Sequence, residues 1–217
     1  MLAMIHRSTR RILMLSAVAI ALAGCRADEV ELTVNSTQLR SALAGNEVVA
    51  EFQAVFTHDR PLNTRQSAQV DDVWSVLDEY MDISDFSREN VDGGLKVTIE
   101  GEIPVRTSRT ARDAYYLSLT ESRTFNGLHR VNLQAGEQFE AMRQALAAVN
   151  FELDMAKHHP TVMTVTGRSS RLIAPSAAMA DEAHLVYEGR LDGSVSFRQA
   201  GEGFDQTGPG FFIRLDG

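Results

Sequence analysis

Between Glu47 and Phe56 every second residue is apolar: Val48, Ala50, Phe52, Ala54 and Phe56. Side chains alternate across a strand, so this spacing sets five apolar groups on one face and mostly polar groups on the other. The same period recurs in Glu29–Val34, through Val30, Leu32 and Val34, and in Leu95–Val105, through Leu95, Val97 and Ile99. A chain with such strands must build a sheet and cover its apolar face.

The covering helices are read from a different spacing. Ser36–Gly45 fits a short helix that Ser36 or Asn35 caps and Gly45 ends, with Leu39, Ala42 and Leu43 on one face. Ser67–Met81 places Val70, Val73, Trp74, Leu77, Tyr80 and Met81 at helical spacing, and Gly136–Val149 does the same with Phe139, Met142, Leu146 and Val149. Further strands are expected at Ala114–Ser122, His129–Leu133, Phe151–Met155, Thr161–Gly167, Ala183–Leu191, Ser194–Arg198 and Phe211–Leu215. Asp92-Gly93-Gly94 marks a turn, Asp192-Gly193 a hairpin, and Gly201–Gly210 a loop. The expected fold is α+β: mostly antiparallel sheet with about three helices and two strand–helix–strand units of similar pattern.

The amino terminus carries a different signal. Arg7, Arg10 and Arg11 precede Ile12–Gly24, an uncharged run too short for a comfortable membrane span, and Cys25 is the only cysteine. Leu22-Ala23-Gly24-Cys25 resembles the lipobox of bacterial lipoproteins. That resemblance implies cleavage before Cys25, a diacylglyceryl group on its sulfur and acylation of the new amino terminus. Two or more acyl chains hold a protein stably at a membrane. The implied layout is a signal peptide over residues 1–24, a lipidated start and short tether over 25–28, and one periplasmic domain over 29–217. Arg26 stands where an Asp would favour inner-membrane retention, which points to the outer membrane.

The same assignment removes every thiol and disulfide from the mature domain, so its stability must come from its core. Loss of the three leader arginines takes the formal net charge from −8 to −11. So acidic a domain is a poor partner for nucleic acid, whose binding rests on neutralising phosphates.

Several groupings of polar residues bear on chemistry. His158-His159 beside Asp154 lacks the ligand number and spacing of a zinc site and reads as a polar loop before Pro160. The acids from Asp71 to Asp92 do not fit a calcium loop, and half of them suit the wet face of a helix. His184 near Asp181 and Glu182 leaves room for a hydrolase triad, yet the serines of Gly167–Arg171 lack a nucleophile elbow. No metal or cofactor is expected. Arg106, Arg109 and Arg112 form the main basic concentration of an acidic domain and suit a phosphate or carboxylate. Tyr115 and Tyr116 put one ring on each face of their strand, with one ring expected in solvent beside the arginines.

The sequence leads to a lipid-anchored envelope protein that binds without catalysis, as an adaptor, assembly or exclusion factor facing an envelope protein or the wall. A lipid-anchored hydrolase is the alternative.

Overall fold

A computed structural model describes residues 27–58, 62–150, 156–175, 185–199 and 208–215. Cys25 and its lipobox, Phe151–Met155, and Asp181 to His184 lie outside these residues.

The alternating segments form strands, and their register follows the apolar face. β1 (Glu29–Asn35) pairs antiparallel with β2 (Val49–His58). Between them α1 (Ser36–Leu43) starts at Asn35, whose side chain accepts the Thr37 N–H at 2.8 Å. After β2 comes α2 (Thr64–Tyr80), three residues longer at its start than the apolar spacing predicts. A capping box explains the extension: Asn63 Oδ1 accepts the Gln66 N–H, and Gln66 Oε1 accepts the Asn63 N–H. β3 (Asp82–Val91) then turns at Asp92-Gly93 into β4 (Gly94–Arg106), which pairs with β2 on its other edge. β5 (Tyr115–Glu121), β6 (His129–Ala135), α3 (Phe139–Val149), β7 (Thr161–Pro175), β8 (Leu185–Gln199) and β9 (Gly210–Ile213) complete the order.

The expected α+β class is overturned. Strands make up 54% of the described residues, and seven of them, in the order β1-β2-β4-β5-β6-β9-β7, close into a mixed barrel. Two pairings are parallel, β1 with β7 and β4 with β5, so the sheet is not simply antiparallel. Local periodicity shows that a strand has an apolar face; it does not show which distant strand takes its edge. Closure joins Val30 to Thr161, 131 residues away in the chain. Of the two expected strand–helix–strand units, the first is present, with β1 and β2 hydrogen-bonded neighbours around α1. In the second, β6 pairs with β5 and β9, and the expected closing strand Phe151–Met155 lies outside the described residues.

β7 makes closure possible by serving two partners in turn. Its first half pairs with β1 and its second half, at Leu172 and Ile173, with β9, while β8 runs along its other edge. The ribbon bends where Gly167 lies opposite Gly193, both at φ +105°. Asp192-Gly193 is therefore a kink inside one long strand, not the predicted hairpin turn. Ser36, fully buried, accepts the Arg168 N–H at the bend, and Arg40 donates to the carbonyls of Arg168 and Leu215. Beyond the bend, Ser169 Oγ is 2.7 Å from the Arg214 carbonyl oxygen and fixes the irregular register there.

The interior collects the apolar faces of β1, β2, β4, β5 and β6, with Leu77 of α2 and Phe139, Met142 and Leu146 of α3 packed over them.

The bend yields a graded prediction. Alanine at either glycine is strained by the positive φ, at a cost of about 1 kcal/mol. At position 167 its Cβ also meets Ser36 Oγ, whereas at 193 nothing stands near. Chemical denaturation should therefore rank Gly167→Ala clearly below Gly193→Ala in stability, with a gap of about 1 kcal/mol or more. Equal losses would mean that Ser36 does not wedge the bend.

Candidate functional site

Residues 107–114 connect β4, which ends at Arg106, to β5 and carry Arg109 and Arg112. The connection is held at many points. Arg106 and Asp113 close its base with a two-pronged contact, Nε to Oδ2 at 3.0 Å and Nη2 to Oδ1 at 2.9 Å. This hydrogen bonding holds the Asp113 carboxyl below its ordinary range and raises the Arg106 guanidinium, against the opposing effect of partial burial. The Ser108 carbonyl accepts from Ser118 Oγ at 3.1 Å, and the Ala111 and Arg112 carbonyls accept the N–H groups of Glu137 and Gln138. Gly136 permits that approach, since a Cβ there would overlap the carbonyl oxygens of Asp113 and Ala111.

The loop folds over the outer face of β5 and β6, which corrects the reading of both tyrosines. The two rings do take opposite faces of β5, but neither is in solvent. Tyr116 is covered by the loop, with its hydroxyl 2.6 Å from the Arg109 carbonyl and 2.7 Å from Gln134 Oε1. Burial, and secondarily the Asp113 charge, push its pKa up. Tyr115 points into the barrel, edge-on to Phe139. Arg106 is likewise no free cation, because Asp113 engages it. Of the five residues expected at the surface site, Arg109 and Arg112 alone are exposed, and among the described residues neither has a recorded ion pair. Asp113 and Gly136 set the loop's shape, yet nothing in their sequence context marks them.

Tyr115 belongs to a second set of contacts. Its hydroxyl donates to the Ala156 carbonyl at 2.7 Å and lies 3.3 Å from His159 Nε2. His159 Nδ1 accepts the Ala27 N–H at 2.9 Å, which places the ring proton of the neutral imidazole on Nε2, facing Tyr115. Both ring nitrogens are thus engaged within the fold, and His159 is a structural clamp on the start of β1, not a metal ligand beside His158.

Among the described residues, the acidic stretch and the serines near Gly167 serve the fold, while His184, Asp181 and Glu182 lie outside those residues. Asp71 pairs with Arg88, and Glu89 lies opposite Lys96 on the β3–β4 ladder, so the acidic stretch is divided between a helix and a strand. Ser169 is committed to the β7 irregularity. Inside the barrel, a wholly apolar cavity of about 50 Å³ lies beneath α2.

No family model matches the chain, and comparison with curated proteins and with solved structures likewise gives no match.

The Arg106–Asp113 clamp has a defined pH dependence. Asp113 has a folded pKa below its unfolded value, so the pair's contribution is present above the usual carboxylate range and is lost as pH falls below about 4. Both side chains are partly exposed, which limits that contribution to about 1 kcal/mol or less. Asp113→Asn should be less stable than the wild type near neutral pH, and the gap in Tm should shrink as pH falls through about 4 to about 3. A gap independent of pH would show that ionisation of Asp113 contributes nothing.

Proposed function

We propose that this chain is a lipid-anchored envelope protein, held through Cys25, and that it is a binding, assembly or exclusion factor that acts without catalysis. The loop of Arg109 and Arg112 is its contact with an anionic partner, a protein or wall component bearing carboxylates or phosphates. The observation that carries this reading is the contrast within one loop. Its backbone and its base are fixed by Tyr116, Ser118, Gly136, Asp113 and the start of α3, while two guanidinium groups are left pointing to solvent. A fixed loop presents its cations with little entropy left to lose on binding, and guanidinium forks suit planar oxyanions.

The anchor is supported by the lipobox resemblance and by the chain path. Only Arg26 separates Cys25 from Ala27, whose N–H His159 already holds, so the proposed tether is very short. An outer-membrane position facing the periplasm remains part of the proposal. No observation favours the hydrolase.

Two measurements test the reading together. Labelled palmitate should enter the wild-type protein and not Cys25→Ser. In-cell cross-linking should yield a discrete complex from the anchored wild type and at least ten times less from Arg109→Glu/Arg112→Glu, with Tm unchanged. Absence of label would overturn the anchor, and undiminished cross-linking would overturn the loop.

A further inference from the structure

Protein interiors are packed with few voids larger than a water molecule, so the space beneath α2 calls for an explanation. Its lining is entirely apolar and is drawn from β1 to β6 and α2, together with Ala27 and the ring of His159. A space of about 50 Å³ with walls from so many elements lies where the inner sheet faces meet α2. Water gains nothing there, because the polar atoms of Tyr115 and His159 are turned to Ala156, Ala27 and each other. A dry, apolar space suits an apolar guest, and Ala27 in its wall stands two residues from Cys25, the proposed carrier of alkyl chains, which points to an unbranched alkyl chain.

The cover over the slot is α2, whose Val73, Val76 and Tyr80 pack on the core while only partly buried. Of the 17 residues of α2, Leu77 alone is buried, and it lines the cavity. The helix is steadied by Trp74 stacked on Phe86 at 4.8 Å and by the exposed Asp71–Arg88 pair, and it runs directly into β3 at Met81. In its first half no residue is buried, and exposed and partly buried positions are equally common. With α2 seated, the slot has room for the end of a chain; a longer stretch enters as Leu77 swings outward. We propose that the barrel interior is a binding site for an alkyl chain, admitted beneath α2 with Leu77 as its gate.

Two sources could supply that chain: a free lipid, or the lipid proposed on Cys25, which stands two residues before Ala27 in the sequence. The site itself does not depend on the anchor.

The test uses cis-parinaric acid, a linear fatty acid whose fluorescence rises in apolar surroundings, with the full chain carrying Cys25→Ser. Saturable binding of one probe per chain is expected. In the same background Ala54→Leu, which fills the slot, should weaken binding at least ten-fold, and Leu77→Ala, which widens it, should bind at least as tightly. Thermal unfolding verifies that each variant is folded, and Ala54→Val is the milder substitute if Ala54→Leu is not. No saturable binding, or binding indifferent to filling at position 54, would overturn the proposal. The lipidated wild type then separates the sources: exclusion of the probe assigns the slot to the protein's own lipid, and equal binding assigns it to a free one. Loss of palmitate labelling at Cys25 would remove the first source and leave the site standing.

Discussion

One strand holds this fold together by serving two partners. β7 pairs with β1 before the Gly167 bend and with β9 after it, and without both pairings the barrel does not close. The bend is demanding, because it interrupts the ladder and exposes backbone groups that must find partners. Those partners come from elsewhere in the chain: Ser36 and Arg40 of α1, and Arg214 just past β9. Closure, the bend and the seating of α1 are therefore one cooperative unit, built from segments at both ends and the middle of the sequence.

The two features read as functional depend on that closure in different ways. The arginine loop is positioned by the outer face of β5 and β6, where Tyr116 and Ser118 reach its carbonyls. The alkyl slot is positioned by the inner faces of the same sheet, where Tyr115 turns its hydroxyl away from the cavity. Adjacent residues of one strand thus serve opposite sides of the barrel wall. His159 adds the link to the amino terminus, fixing Ala27 where β1 begins.

Much of this was legible in the sequence, and the rest was hidden for identifiable reasons. Alternation located β1, β2 and β4, and helical spacing located α1, α2 and α3, because those faces are buried by simple layering. β3 was missed because its only apolar residues, Ile83, Phe86 and Val91, do not alternate, and a register shift falls between Ile83 and Asp85. Asp192-Gly193 carries the local signature of a hairpin, but a glycine at positive φ also serves a kink within a strand, and only the facing Gly167 decides between them. Parallel closure has no local signature at all. The arginines were found by composition, and the opposite faces of Tyr115 and Tyr116 by strand geometry. What the sequence could not convey is that the arginine loop folds back over Tyr116 and that Asp113 claims Arg106.

The central functional claim is that the fixed loop is the surface that meets a partner. Its most direct test is photo-cross-linking in living cells from a photoreactive residue at Thr110, between the two free arginines, with the same residue at exposed Ser194 of β8 as control. The account predicts one discrete product from position 110 and none from position 194. Equal products from both positions, or none from position 110, would contradict it.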